Sequence, residues 1–265
     1  MKTTRLAIHG AAGRMGQRLV ALGAADPALT IAAALESDGH PELGRDAGTI
    51  AGGKPLGVAL SSSLEVPVDA VIDFSVPAAA ERITQLCLSR KLPLVIATTG
   101  LSAQQQEQVR SAAREIAIVW APNMSLATNV AMKLCSVAAA ALKNNPQGVD
   151  VEIIERHHHH KVDAPSGTAL RFGELIAGVL GTKKSVHGRQ GHTGERSRDE
   201  IGYHALRVGD DPGQHTIVFG MPGETLEVTV RATSRDSYAL GALAAAKFVA
   251  GKAAGLYSMV DVLGL

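Results

Sequence analysis

The first 120 residues alternate short apolar runs with longer stretches whose apolar residues recur at helical spacing. This alternation is the strongest constraint on the fold, because parallel strands need helical crossovers between them. It predicts a parallel sheet with helices on both faces, while the segment Ser37–Lys54, rich in Gly, Asp and Pro, is predicted to be a loop. The predicted strands are Leu6–His9, Leu29–Glu36, Gly57–Leu60, Ala70–Phe74, Pro93–Ala97 and Ile116–Trp120, and the predicted helices are Gly13–Ala25, Pro77–Lys91 and one running from the cap Ser102 to Glu115.

The pattern changes after Asn123. Three strand-like stretches follow one another without helices between them, which predicts an antiparallel or mixed sheet. We therefore expect a first domain at 1–124, completed by 236–265, and a second domain at 125–235. The predicted elements are helices at Leu126–Lys143, after Pro165 and at Tyr238–Ala253, and strands at Asp150–Glu155, Ile201–Val208, His215–Phe219 and Glu224–Ala232.

Composition narrows the possible partners. The formal net charge is +1, which gives no electrostatic case for binding nucleic acid. No segment has the roughly 20 consecutive apolar residues that a membrane span needs, and the N-terminus lacks the features of a signal peptide. Cys87 and Cys135 lie in separate apolar stretches, which is typical of reduced, buried thiols. We expect a soluble, cytoplasmic protein.

A glycine turn connects the first predicted strand to the first predicted helix. Gly10, Gly13 and Gly16 follow the spacing G-x-x-G-x-x-G, which lets the backbone approach a pyrophosphate at the helix N-terminus. Glu36 ends the second predicted strand, 20 residues after Gly16, where a dinucleotide fold places an acid for the ribose hydroxyls. The alternative is a plain tight turn with a surface glutamate. The expected fold class is α/β, with an N-terminal Rossmann-like, doubly wound parallel sheet and a C-terminal α+β domain with a mixed open sheet.

Small polar residues follow two later strands of this predicted sheet. Thr98-Thr99-Gly100 comes after one strand, and Ala121-Pro122-Asn123-Met124 comes after the next. Doubly wound sheets bind ligands at the carboxyl ends of their strands. These segments are therefore candidates for contact with a nicotinamide and its ribose, and ordinary loops are the alternative.

Four consecutive histidines, His157, His158, His159 and His160, lie between a predicted strand and a predicted helix. An expression tag would lie at a terminus. Adjacent residues of an extended segment point to alternate sides, so the run is a poor tetrahedral cage, and we expect no metal. A histidine with a near-neutral pKa is suited to general acid catalysis. Lys161 follows at once and can donate a second proton or bind a carboxylate.

The helix after Pro165 offers a second feature of a ligand site. Ser166 is a good N-cap, and Gly167 and Thr168 present backbone N–H and hydroxyl donors at the helix start. A helix N-terminus of this kind can hold a carboxylate. A capped helix without a ligand is the commoner alternative, and the neighbouring His and Lys residues favour the ligand site.

The stretch from Glu152 to Ala169 resembles the signature of the 4-hydroxy-tetrahydrodipicolinate reductases, also called dihydrodipicolinate reductases. The family motif is close to E-x-H-H-x-x-K-x-D-x-P-S-G-T, and every fixed position is filled from Glu155 to Thr168. The resemblance covers essentially the whole chain. Further matching segments lie at 10–16, 72–74, 97–100, 121–123, 191–196 and 255–263.

The resemblance implies an NAD(P)H-dependent oxidoreductase of lysine and diaminopimelate biosynthesis that reduces 4-hydroxy-tetrahydrodipicolinate, a cyclic dicarboxylate, to tetrahydrodipicolinate. It implies that 1–124 binds the dinucleotide and that 125–235 binds substrate and joins a homotetramer. His157 would be the proton donor and Lys161 its assistant. Substrate would bind His158, Lys161, Ser166, Gly167 and Thr168, and the cofactor would contact Gly10, Ala11, Ala12, Gly13, Arg14, Met15, Glu36, Ala97, Thr98, Thr99, Ala121, Pro122, Asn123 and Met124.

Two departures from the bacterial family pattern concern the choice between NADH and NADPH. Ser37 and Val76 occupy positions where family members can carry arginine. Arginine near Glu36 would offset the charge of the NADPH 2′-phosphate, so its loss weakens that contact. Arg14 and Lys54 remain as substitutes. We expect use of both cofactors, with NADH at least as good as NADPH.

Two other functions remain open from the residues alone. One is an aspartate or homoserine dehydrogenase-like oxidoreductase of the same architecture, which the His–His–Lys and Pro-Ser-Gly-Thr pattern disfavours. The other is a non-catalytic nucleotide or metal sensor that uses the histidine run.

Overall fold

The computed structural model describes residues 3–182 and 184–265. The chain forms two compact units. Unit 1 comprises the chain up to Leu126 together with Asp236–Leu265, and unit 2 comprises Ala127–Arg235. Among the described helices, none combines the length and the apolar character required to cross a membrane.

Unit 1 contains a seven-stranded sheet in the order β12-β6-β5-β4-β1-β2-β3, and every neighbouring pair is parallel. Its central strands are buried on both faces, which explains their nearly continuous apolar sequences. The strands are β1 (Thr4–His9), β2 (Leu29–Leu35), β3 (Leu60–Ser61), β4 (Ala70–Asp73), β5 (Leu94–Ile96), β6 (Ala117–Trp120) and β12 (Gly255–Tyr257).

Helices cover both faces of this sheet and produce two separate cores. One core joins Leu19 of the first helix and Leu243 of the last long helix to one face, and the other joins Ile83 and Val109 to the opposite face. The predicted doubly wound parallel sheet is therefore confirmed. The helices of unit 1 are α1 (Arg14–Ala25), α2 (Ala47–Ile50), α3 (Pro77–Arg90), α4 (Ala103–Ala112), α7 (Asp236–Val249) and α8 (Met259–Leu263).

Unit 1 differs from the sequence-based prediction in the short elements β12 and α8, which were not predicted, and in the segment between β2 and β4. The predicted loop Ser37–Lys54 contains the short helix α2, and the strand expected at Gly57–Leu60 begins only at Leu60. The carboxylate of Asp46 accounts for both differences in this segment. It caps α2 by accepting the N–H of Thr49, and it also accepts the N–H groups of residues 56–58, which are then unavailable to the sheet.

Unit 2 contains a five-stranded mixed sheet in the order β11-β10-β7-β9-β8. β10 is antiparallel to both neighbours, whereas β9 is parallel to both of its own. The predicted mixed sheet is confirmed, although β8 was not predicted. The elements are α5 (Leu126–Leu142), β7 (Asp150–His157), α6 (Gly167–Leu180), β8 (Lys184–His187), β9 (Glu200–Arg207), β10 (Gln214–Met221) and β11 (Glu224–Arg231).

The two faces of this mixed sheet differ. One face carries Ile153 and Phe219, which pack with Cys135 of α5 and Phe172 of α6 in a single core. The opposite face carries Ile154 and other partly exposed side chains. Because residues alternate along a strand, every second residue of β7 points to the core side. Glu155 and His157 are on that buried side, next to the start of α6.

Candidate functional sites

The glycine turn brings the backbone into close contact with itself. Gly10 adopts φ +80°, a left-handed conformation that favours glycine. A Cβ on Gly16 would lie 2.0 Å from the carbonyl oxygen of Gly10, so only glycine lets α1 begin this close to the turn. Gly13 is the N-cap of α1 and has no side chain that could cap the first N–H groups of the helix. The first turn of α1 is therefore shaped to receive an anion.

Glu36 directly follows β2, and its side chain contacts this turn. Its carboxylate accepts the N–H of Ala12 at 3.3 Å and the N–H of Ser37 at 3.0 Å. A cavity of about 1230 Å³ lies beside it within unit 1. The predicted cofactor residues that line this cavity are Gly10, Gly13, Arg14, Met15 and Glu36.

A buried carboxylate, Asp73, organises the neighbouring strand ends. It is fully buried and lies 2.7 Å from Nδ1 of His9, the last residue of β1. It also accepts hydrogen bonds from the hydroxyls of Ser75 at 2.6 Å and Thr98 at 2.7 Å. The hydroxyl of Thr98 in turn accepts the N–H of Ser75. No role was predicted from the sequence for His9 or Asp73. The available signals were their polar character at strand ends and the position of Asp73 in the segment 72–74, which matches the family pattern.

Ala11 and Ala12 belong to the glycine turn itself, where Ala11 is buried and Ala12 is partly buried. The other predicted cofactor residues follow β5 and β6. Among them, Thr99 and Pro122 are exposed and Asn123 is partly exposed. The Oδ1 of Asn123 accepts the N–H of Ser125, which shapes the turn into α5. The others contribute to the packing of unit 1 and could meet a ligand mainly through their backbone: these are Ala97, Thr98, Ala121 and Met124.

Unit 2 contains a hydrogen-bond network centred on Glu155. This carboxylate is 1% exposed and lies 2.6 Å from Nδ1 of His157. Arg207 of β9 donates to both of its oxygens at 2.8 Å, and the N–H of Ser166 donates at 3.1 Å. Burial alone would raise the pKa of Glu155, but the bonds from His157 and Arg207 outweigh it and lower this pKa to about 2.

The ionised state of Glu155 fixes the tautomer of His157. A carboxylate can only accept hydrogen bonds, so Nδ1 of His157 must carry a proton. Nε2 is then the nitrogen that can exchange a proton with a ligand. Gly213 lies next to it: a Cβ there would be 2.8 Å from Nε2, and its φ of +139° is uncommon for other residues. Glycine at 213 therefore leaves room beside Nε2 of His157.

Ser166 extends the network to the start of α6. Its hydroxyl accepts the N–H of Ala169 at 3.1 Å, which confirms the predicted cap, and lies 2.9 Å from Nε2 of His215. His215 is 6% exposed, and burial, aided by the nearby charge of His157, lowers its pKa to about 4. His215 is thus a neutral partner of the cap.

Lys161 and His158 occupy the loop between β7 and α6. The Nζ of Lys161 donates to Asp163 at 2.8 Å and, with other bonds, lowers the pKa of that carboxyl. Arg207 donates to the backbone oxygen of Asp163, so Lys161 connects to the Glu155 network through this residue. Within the described residues, the buried Nδ1 of His158 has no hydrogen-bond partner. Desolvation and the charge of Arg235 lower the pKa of His158.

The other two histidines of the run lie on the surface. Nδ1 of His159 lies 2.8 Å from the carbonyl oxygen of Gly209, and the rings of His159 and His160 are 3.7 Å apart. In the described ranges 3–182 and 184–265, no group of three or more His, Cys, Asp or Glu residues could hold a metal ion.

No role was predicted from the sequence for Glu155, Arg207 or His215, although Glu155 is the first fixed position of the family motif. A second signal was present, because Glu155 and His157 are two residues apart on a strand and must share a face. Arg207 and His215 are 52 and 60 residues from Glu155, and only the pairing of β9 and β10 with β7 brings them together.

Comparisons with known protein families match both halves of the chain. The model for the N-terminus of dihydrodipicolinate reductase matches residues 4–124, and the model for its C-terminus matches residues 127–263. A 4-hydroxy-tetrahydrodipicolinate reductase of Rhodopirellula baltica is 56% identical over 98% of this chain and 96% of that protein. The enzyme of the same name from Nitrosomonas eutropha is 47% identical over the full length of both.

Two solved structures resemble the fold of this chain, and one of them is a dihydrodipicolinate reductase. Dipicolinate-bound dihydrodipicolinate reductase from Paenisporosarcina sp. TG-14 has a TM-score of 0.79 and 28% identity, covering 98% of both chains. An amine dehydrogenase from Mycobacterium smegmatis has a TM-score of 0.65 at 11% identity, over 97% of this chain and 95% of that one. The second similarity concerns the fold alone.

The low pKa of His215 leads to a prediction about acid stability. An unfolded histidine takes up its proton near pH 6.5, whereas folded His215 does so near pH 4. Between these values the unfolded state binds more protons, so the free energy of unfolding falls as the pH falls through this window. In His215→Gln, the slope of unfolding free energy against pH should decrease by about one proton, or ~1.4 kcal/mol per pH unit.

The measurement is chemical denaturation at closely spaced pH values between 4 and 7. His192→Gln, at an exposed position, is the matched control and should keep the wild-type slope. An unchanged slope in His215→Gln would show that His215 is not the buried neutral group described here.

Proposed function

This chain belongs to the dihydrodipicolinate reductase family, and we propose that it performs the family's reaction with His157 as proton donor. It is an oxidoreductase that reduces 4-hydroxy-tetrahydrodipicolinate to tetrahydrodipicolinate in lysine and diaminopimelate biosynthesis. The observation that carries the assignment of His157 is its 2.6 Å hydrogen bond to the buried carboxylate of Glu155. We assign dinucleotide binding to unit 1 and substrate binding to unit 2.

The glycine turn of unit 1 fits a nicotinamide dinucleotide. Gly10 and Gly16 leave the space that a Cβ would fill, and the start of α1 favours a pyrophosphate. Glu36 is positioned to accept hydrogen bonds from ribose hydroxyls, because its carboxylate already bends back over the turn. When bound, the nicotinamide supplies the hydride of the reduction. Both NADH and NADPH are proposed cofactors.

His157 completes the reduction by donating a proton from Nε2. Glu155 holds Nδ1–H and stabilises the imidazolium form, as a buried carboxylate does beside a catalytic histidine. Arg207 keeps Glu155 ionised, so the carboxylate does not compete for the proton. Lys161 supplies a second positive charge in the same loop, for protonation and for a substrate carboxylate.

The start of α6 is the proposed site for a substrate carboxylate. Gly167 and Thr168 form the first turn of this 14-residue helix, and Ser166 caps it. A carboxylate at a helix N-terminus is stabilised by the backbone N–H groups and the helix dipole. His158 adds a buried ring nitrogen without a protein partner in the described structure. The similar structure from Paenisporosarcina is a complex with dipicolinate, a planar dicarboxylate.

The uncovered face of the mixed sheet supports the proposed homotetramer. Ile154 of β7 and Leu206 of β9 are 39% and 46% exposed on this face. Beside them, Glu152 accepts hydrogen bonds from Arg189, Arg196 and His204, which adds a polar network to this face. An open sheet face with apolar centres is suited to packing against a second copy. We propose that unit 2 assembles through it.

A cytoplasmic location is also proposed. Cys87 and Cys135 are both free and buried, and burial raises the pKa of Cys135 to about 12. Buried thiols of this kind are unreactive hydrophobic groups and are typical of proteins in reducing compartments.

His157→Ala and Lys161→Ala should each lower kcat by roughly 10²-fold or more, because each removes a group that acts on substrate. The dissociation constant of NADH should change less than twofold, because neither residue lies in unit 1. The assay couples enzymatic generation of substrate to NADH consumption. His160→Ala is the matched control, since His160 is an exposed member of the same run, and it should turn over like wild type. Wild-type turnover in either test variant would remove that residue from the mechanism.

Thr168→Val should weaken inhibition by dipicolinate by roughly 1–3 kcal/mol, the usual loss when a charged acceptor loses a hydrogen bond. The change keeps the shape of the side chain and removes its hydroxyl. The measurement is the inhibition constant of dipicolinate against substrate. Thr193→Val, on an exposed loop of unit 2, serves as control and should have no effect. If Thr168→Val were inhibited like wild type, the carboxylate site would have to lie elsewhere.

A further inference from the structure

We propose that Arg82 of α3 forms a phosphate-monoester subsite for the 2′-phosphate of NADPH, and that Asp38 competes with this phosphate for the arginine. The proposal rests on the dinucleotide site described above and identifies the residues that set its preference between the two cofactors. Arg82 is distinct from Ser37, Val76, Arg14 and Lys54, the positions that the sequence alone indicated for this contact.

The position of Arg82 follows from the cavity beside the glycine turn. Arg82 lines it together with Glu36, Ser37, Ser62 and Ser63. Glu36 is the acid suited to ribose hydroxyls, so a phosphate on the 2′ oxygen must lie close to Glu36. Besides Arg82, the lining of this cavity includes the hydroxyls of Ser37, Ser62 and Ser63. Hydroxyl and guanidinium groups are the usual donors to a phosphate.

Asp38 currently holds the guanidinium of Arg82. Its Oδ2 accepts a hydrogen bond from Nη1 of Arg82 at 3.0 Å, and the two side chains are 66% and 70% exposed. The bond to Arg82, with a second from Ser62, lowers the pKa of Asp38, which is therefore an anion at neutral pH. An ion pair this exposed is weak and easily exchanged. A phosphate dianion with paired oxygens binds arginine more strongly than a single carboxylate oxygen does.

Other arginines at the cavity are less suited to this role. Arg14 is the first residue of α1, next to the site for the pyrophosphate. Arg90 lies at the far end of α3 and donates to the backbone oxygen of Leu64. Arg82 alone among these three is paired with a side chain from the loop that follows Glu36. The negative charges of Glu36 and Asp38 repel the phosphate, and the positive charge of Arg82 attracts it. This balance is consistent with the proposed use of both cofactors.

The test uses the full-length protein and two ligands without nicotinamide, ADP-ribose and ADP-ribose 2′-phosphate, whose dissociation constants are measured by calorimetry. Arg82→Gln should weaken the 2′-phosphorylated ligand about tenfold and change ADP-ribose less than twofold. Asp38→Asn should strengthen the phosphorylated ligand several-fold, because it removes the competing anion and frees Arg82. Opposite effects from the two halves of one ion pair would not arise from a purely structural role.

Arg110→Gln is the matched control, because it removes the same charge from α4 outside the cavity and should leave both ligands unaffected. The subsite is contradicted if ADP-ribose binds but Arg82→Gln leaves the ratio of the two affinities unchanged, or if only Arg14→Gln changes it. Those results leave the dinucleotide site intact. Failure of wild type to bind either ligand would instead overturn the dinucleotide site, and this subsite with it.

Discussion

The buried carboxylate of Glu155 is the interaction on which the proposed chemistry of unit 2 depends. An unpaired charge in this position would cost several kcal/mol, but Arg207, His157 and the N–H of Ser166 together satisfy both oxygens. The same contacts join β7, β9 and the start of α6. One anion therefore contacts both the ring of the proposed proton donor and the helix end proposed to receive a carboxylate.

A second buried carboxylate has a comparable role in unit 1. Asp73, the last residue of β4, binds His9 at the end of β1, Ser75 just after β4 and Thr98 just after β5, and so connects the ends of three parallel strands. Its partners are a histidine and two hydroxyls rather than an arginine. Strand ends that cannot shift keep the glycine turn and Glu36 in a fixed arrangement, which a dinucleotide requires for close backbone contact. In contrast, the side chains of Arg82 and Asp38 are exposed and can exchange their ion-pair partners.

Much of the fold could be predicted from the spacing of apolar residues along the sequence. The alternation of β1 to β6 with α1, α3 and α4 predicted the parallel sheet, and the strands after 200 predicted the mixed one. β12 has three residues and α2 has four, too short for a periodic signal. The edge strand β8 has the sequence Lys-Ser-Val-His and carries little apolar character.

Some residues of the candidate sites are contiguous in the sequence, and others come together only in the folded chain. Gly10 to Gly16 and the run from His157 to Thr168 are contiguous, so their spacing could be recognised. Arg207 and His215 meet Glu155 only through strand pairing, and Arg82 meets Asp38 only through the packing of α3 beside the loop after β2. Sequence spacing contains no information on such pairs until the topology is known.

The most direct test of the central claim is the protonation of His157, measured by nitrogen-15 NMR of histidine-labelled protein with His157→Asn for assignment. Glu155 as an ionised acceptor predicts that Nδ1 of His157 stays protonated in the neutral ring, and that Nε2 is the nitrogen that titrates. Glu155→Gln should reduce this preference. A neutral His157 protonated on Nε2, with Nδ1 titrating, would contradict the assignment of His157 as a proton donor held by Glu155.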